Sequence, residues 1–208
     1  MTTQAKATPR ERLLEAAATL TYQEGVGVGV DVLCKAAGVS KRSMYQLFES
    51  KDELLTASLE ERITAFAARL LPAADDGRPP RERILHVFEQ VESQAGAPEF
   101  RGCRYLAVQI ELKDEGHPAS QVVRRAKGNM TAFFRTEAKR GGASDPDLLA
   151  RQLSLTFDGA VARASTRAEN LAGLIGPTVG VLLDSAGVRR RTSRLIRPTL
   201  DGASRACR

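Results

Sequence analysis

Apolar positions along this chain recur three and four residues apart and nowhere alternate with polar ones, so the pattern predicts helices joined by turns and no strand. Leu13, Leu14, Ala17 and Leu20 mark the inner face of a first helix that opens at Pro9 and ends before Gly25. Leu33, Ala36 and Ala37 make a second, short stripe, ended by Gly38, and Ser40 can cap a third helix that starts at Lys41 and turns Met44 and Phe48 inward. Ser50 followed by Glu53 reads as a capping box, after which Leu55, Leu59, Ile63, Phe66 and Leu70 predict one helix of about five turns. The stretch 72–80, PAADDGRPP, is the clearest loop. Beyond it helices are expected over about 81–94, 102–113 and 119–139, then from Pro146 with Leu149, Leu153, Phe157 and Val161 inward, and last over 171–185 with Leu174, Val181 and Leu182. The expected fold is all-α, with about nine helices.

The segment 31–55, DVLCKAAGVSKRSMYQLFESKDELL, holds the most chemistry. Two short helices meet there at a glycine turn, and the second leaves Lys41, Arg42, Ser43, Tyr45 and Gln46 outside its apolar stripe, a mixture that suits a nucleic-acid groove better than a core. With Ala37, Gly38, Val39, Ser40, Lys41, Met44, Tyr45, Phe48, Ser50, Lys51 and Leu54 in register, the sequence resembles the TetR family of bacterial one-component transcriptional regulators. The close resemblance covers about residues 9 to 60. It implies a three-helix DNA-binding unit joined through a linking helix to an α-helical domain for ligand binding and dimerisation. Two positions depart from the family pattern. Gly29 stands where the family usually has a Thr or Ser cap, and Leu47 where a polar residue often reaches the DNA backbone.

On this reading Ser40 and Lys51, at helix starts, position phosphates, whereas Arg42 and Gln46, four apart on one face, read bases, Arg suiting guanine and Gln adenine. Lys41, Ser43 and Tyr45 serve either purpose, and the resemblance favours Tyr45 on the backbone.

Charge changes this picture little. The formal net charge is +6, but residues 188–208 carry seven Arg and one Asp, 7 − 1 = +6, so the rest of the chain sums to zero. The warrant for DNA binding is the local set Lys41, Arg42, Lys51. Cys34, Cys103 and Cys207 are odd in number and widely spaced, which suggests neither disulfides nor a metal site and suits a reducing cytoplasm; Cys34 reads as core filler, and the role of Cys103 stays open. No apolar run approaches a membrane span, and a soluble protein is expected. His86 and His117 lack motif partners, and the glycines of 25–29 lack the strand and lysine of a phosphate-binding loop, so no enzyme, cofactor or metal is expected.

The remaining expectations concern the second domain. Phe88, Val91, Phe100, Cys103, Tyr105, Gln109, Met130, Phe133, Phe134 and Phe157 would line a ligand cavity if the helices pack as the resemblance implies, although such a stripe also makes a plain core. The resemblance further implies a homodimer built on the last two long helices, for which Leu149, Leu153, Ala160, Ala164, Leu174 and Val181, with Gly159, are the expected interface. The domains then run 1–8 (flexible arm), 9–55 (DNA-binding), 56–187 (ligand and dimer) and 188–208 (basic, disordered tail). The expected function is a ligand-responsive repressor that binds a palindromic, inverted-repeat operator in double-stranded DNA as a dimer and is released by a small apolar or amphipathic effector. The alternatives are a helical ligand-binding protein with a vestigial DNA motif and a TetR-type activator without a physiological ligand.

Overall fold

The computed structural model describes residues 7–167 and 170–189, so most of the expected arm, the tail from residue 190 and Cys207 lie outside the described residues. The described residues form ten helical segments and no strand: α1 (Pro9–Glu24), α2 (Val30–Ala37), α3 (Lys41–Leu47), α4 (Lys51–Glu61), α5 (Ile63–Leu70), α6 (Pro80–Ala95), α7 (Arg104–Leu112), α8 (Pro118–Arg140), α9 (Pro146–Thr166) and α10 (Ile175–Ser185).

Local caps set the small N-terminal unit. Thr8 Oγ1 accepts the Glu11 N–H at 3.2 Å while Glu11 returns a carboxylate to the Thr8 N–H at 2.7 Å, which satisfies free N–H groups at the start of α1. Ser40 accepts the Ser43 N–H at 3.1 Å and Ser50 that of Glu53 at 3.0 Å. Gly38 ends α2 in the left-handed region, φ 61°, as expected of that turn. Arg12 then reaches from α1 to donate to the carbonyls of Ala37, at 2.8 Å, and Gly38, at 3.4 Å, placing a cation where the dipole of α2 is negative. Leu13, Leu14, Ala17, Leu33, Ala37, Met44, Phe48 and Leu54 close one compact core.

A second, larger core belongs to α4–α10, where α8 packs on α4, α6, α7 and α9. At its centre the Phe88 ring stacks on Phe134, 5.7 Å between centroids, and meets Phe157 edge-on at 6.5 Å. The expected five-turn helix is broken. Arg62 leaves the helical ladder between α4 and α5 and pairs with Glu15 of α1, so the apolar stripe continues across a bend. The last helix also begins later than expected, at Ile175, because Gly173 takes a positive φ of 76°. Two buried arginines hold the 72–80 loop and the chain after α10. Arg83 pairs with Glu137 at 3.0 Å and donates to the carbonyls of Ala73 and Asp76, and Arg81 pairs with Asp184 and donates to the Val188 carbonyl, both at 2.6 Å. Glu137 also accepts from Arg140 at 2.9 Å, so it is removal of Glu137 that leaves the buried Arg83 without a carboxylate, a loss of about 3–5 kcal/mol.

Candidate nucleic-acid interface and internal cavity

The outward side of α3 carries most of the expected contacts. Arg42, Tyr45 and Gln46 are exposed, Tyr45 to 54%, and no side chain of the protein occupies them with an ion pair or hydrogen bond among the described residues. Lys41 pairs with Asp31 at 2.8 Å, both groups being open to solvent, so phosphate can replace the carboxylate at little cost. Ser40 and Ser43 share a hydroxyl contact of 2.9 Å. Leu47 and Val32 are exposed on the same unit, an apolar pair that charge reasoning does not predict.

Lys51 departs from expectation. Its ammonium donates to the carbonyls of Val26, at 2.9 Å, and Val28, at 3.3 Å, so it ties down the 25–29 loop instead of reaching outward for phosphate. Those carbonyls lie before α2, where the Gly29 cap offers no side-chain acceptor.

The larger core holds a cavity of about 180 Å³ between α1, α5, α6, α7 and α9. Of the expected ligand residues, Val91, Phe100, Cys103 and Phe157 line it. The others do not. Phe88, Tyr105, Met130 and Phe134 are packed inside the core, where Phe88 stacks on Phe134 and Tyr105 meets Phe66 edge-on, and Phe133 sits 6.0 Å from the Arg83 guanidinium. Gln109, also absent from the wall, buries its Oε1 without a partner. Sequence reasoning missed the rest of the wall, which includes Tyr22, Phe66, Arg69, Gln94 and Arg104. Tyr22 belongs to α1, so one wall is supplied by the DNA-reading unit, a juxtaposition that no local periodicity reveals. Burial pushes the Cys103 thiol above its ordinary range and leaves it protonated, a small apolar wall group.

Helix α7 runs from this cavity back to the reading unit. At its start Tyr22 donates to the Gly102 carbonyl at 3.2 Å and accepts the Arg101 N–H at 2.8 Å, while Arg104 lies 4.9 Å from the Tyr22 ring centroid. Midway, Tyr105 donates to the Leu59 carbonyl of α4 at 3.1 Å, and burial raises its phenol to about 12. At its end Glu111 accepts the Val26 N–H at 2.7 Å. Gly25, with φ 93°, makes that contact possible, because a Cβ there would stand 2.5 Å from the Glu111 carboxylate. Farther along, His117 Nε2 lies 3.5 Å from Asp52 of α4. The expected interface residues Leu149, Leu153, Ala160 and Ala164 face the chain's own core, Leu153 with no exposed surface, and only Leu174 and Val181 of that set are exposed.

The chain is similar in sequence and fold to known proteins. The sequence profile of bacterial regulatory proteins of the tetR family matches residues 13–57. A crystal structure described as a TetR-type transcriptional regulator from Streptomyces avermitilis superposes with a TM-score of 0.86 at 73% identity, over 87% of this chain and 99% of that one. The transcriptional regulator AcuR of Cereibacter sphaeroides is 32% identical over 70% of either chain. The transcriptional repressor NemR of Escherichia coli K12 is 34% identical over 50% of this chain and 54% of its own, so the matched stretch spans about half of that relative. With the likeness extending through the larger core, the chain belongs to the TetR family of bacterial regulatory proteins and is a DNA-binding transcription regulator, not an enzyme.

Proposed function

We propose that the chain is a cytoplasmic, homodimeric repressor that holds an inverted-repeat operator and leaves it when a small molecule fills the cavity beside α7. The observation that carries this reading is the shared wall. Tyr22 of α1 closes the cavity, and α7 joins that wall to the Val26 N–H ahead of α2, so a guest that moves the start of α7 also moves the reading unit. A guest favouring the displaced arrangement lowers operator affinity by the same factor by which operator lowers guest affinity.

The dimer reading rests on the outer side of α9 and α10. Leu148, Leu155, Gly159 and Ala162 recur along one exposed face of α9, and Leu174 and Val181 along one of α10. Leu155 is 75% exposed and Val181 68%, which is costly for two adjacent helices in water unless a partner covers them, and the small Gly159 and Ala162 allow close approach. A symmetric pair would present its two α3 helices roughly 34–36 Å apart, one turn of duplex. On that duplex Arg42 and Gln46 are assigned to base edges, and Ser40, Lys41, Ser43 and Tyr45 to the backbone. Gel-shift titration against fragments upstream of its own and neighbouring genes tests the proposal. One sharp complex of two subunits per duplex is expected. Retention of no fragment, or of every fragment alike, would contradict it.

A further inference from the structure

The wall of the cavity carries two guanidinium groups and a buried amide whose donors are largely unused, and these specify the guest. Phe66, Arg69 and Arg104 stand between the inner cavity and an outer, open hollow of about 200 Å³ that Arg62 also lines. We propose that the effector is a small amphipathic anion, its apolar part in the inner cavity and its acidic head in the outer hollow against Arg69 and Arg104. This rests on the effector reading of the same cavity and names its ligand class.

The carboxylates nearby do not neutralise the cluster. Glu15 is taken by Arg62 and Glu60 by Arg125, while Glu99, on the cavity wall, pairs with none of the three arginines. Arg69 has neither an ion pair nor a hydrogen bond among the described residues, and Arg104 has only the Ala18 carbonyl at 3.4 Å and the Tyr22 ring. Guanidinium carries five donors in a planar fork that matches a carboxylate or a phosphate, so most of this capacity is unused. Deeper in, the Gln94 amide nitrogen is buried without an acceptor, a further donor awaiting one. Keeping these cations together opposes the charge on Arg104, which burial, with Arg62 and Arg69 nearby, depresses below the ordinary guanidinium range. An anion between Arg69 and Arg104 removes that repulsion.

The inner wall suits the other half of such a ligand. Phe66, Val91, Phe100 and Phe157 are apolar, and about 180 Å³ lies below the roughly 300–1,000 Å³ of drug-sized sites, so the apolar part is short. Arg104 is also the first residue of α7 and rests on Tyr22, so a head group that draws it outward acts on the contact joining the two domains.

Calorimetry on the full chain without DNA tests this with butanoate, hexanoate, octanoate and hexyl phosphate, against 1-hexanol and hexylammonium. At least one anion should bind about tenfold or more tighter than 1-hexanol, with hexylammonium silent, since charge-assisted bonds to guanidinium are the strong ones. Comparing hexanoate with hexyl phosphate tells which acidic head the site prefers. Arg69→Gln and Arg104→Gln should each weaken that binding about tenfold. Arg69 is exposed and bonds to nothing, so its variant keeps the fold, and it should melt higher than wild type without ligand because a repelled charge is gone. Binding of no anion in the series, equal binding of 1-hexanol, or indifference to both substitutions would overturn the proposal. An anion that binds yet leaves the operator held would instead count against the repressor reading alone, and operator release by an uncharged compound, with the anions silent, against the anionic head alone.

Discussion

The two ends of this molecule are closed in different ways. Around α1–α4 the helix starts are capped locally, Thr8 with Glu11, Ser40 with Ser43 and Ser50 with Glu53, each spanning three residues, and the ties of Arg12 and Lys51 to the loops beside α2 span only 23–26 positions. Around the cavity the polar ties cross 79–86 positions of sequence, as from Tyr22 to Gly102 and Arg101, Ala18 to Arg104, and Val26 to Glu111. A locally capped unit holds its shape and keeps Arg42, Tyr45 and Gln46 presented outward, whereas a cavity held by distant ties shifts when one tie does. A stiffer reading unit and a more deformable cavity are expected from this contrast.

The strongest way to break this contrast is at the aromatic centre of the larger core. Phe88→Ala should cost about 3–5 kcal/mol of stability, and hydrogen exchange should show protection lost in α6–α9 before α1–α3. Simultaneous loss in both would mean that the two cores are one cooperative unit. Next in size is Val181→Glu, which leaves the subunit folded, since the position is exposed, but should split the proposed dimer and raise the operator Kd roughly 100-fold through lost bivalency. Sedimentation of the variant decides it, and a folded, unchanged dimer would move the interface elsewhere. Leu153→Glu, by contrast, should unfold the subunit, because it buries an unpaired charge in the chain's own core.

Two substitutions within the reading unit sharpen the comparison. Arg42→Ala should cost about 1–3 kcal/mol on the operator and relax preference at one base position, which base-resolved binding reads directly. Lys51→Ala should act on stability, about 1–2 kcal/mol, while leaving the slope of affinity against salt unchanged, because its ammonium serves Val26 and Val28 and not phosphate. A shallower slope would return Lys51 to the DNA.

These differences explain what could be read in advance. Caps and glycine turns are short-range signals, so α1–α3 and the outward set Arg42, Tyr45, Gln46 were legible in the sequence. Lys51 was not, because its partners are carbonyls more than twenty positions back, in a loop whose path the sequence does not announce. The same holds for Arg12, Arg81 and Arg83, which look like solvated charges until their distant acceptors are known. Helix α9 carries two apolar stripes, one through Leu149 and Leu153 and one through Leu148 and Leu155, and periodicity cannot tell which meets the chain's own core. Of the cavity wall only Val91, Phe100, Cys103 and Phe157 are legible in advance, since Tyr22 arrives from the N-terminal unit and Arg69, Gln94 and Arg104 read as solvated polar positions until the helices are packed.

Whether cavity wall and reading unit act as one device is tested most directly by a double-mutant cycle on operator affinity with Tyr22→Phe and Glu111→Gln, the two ends of the α7 connection. Joined through α7, the two substitutions should be non-additive by about 0.5–2 kcal/mol, although their side chains hold opposite ends of the helix. Additivity within about 0.3 kcal/mol would contradict the coupling and leave α7 as mere packing.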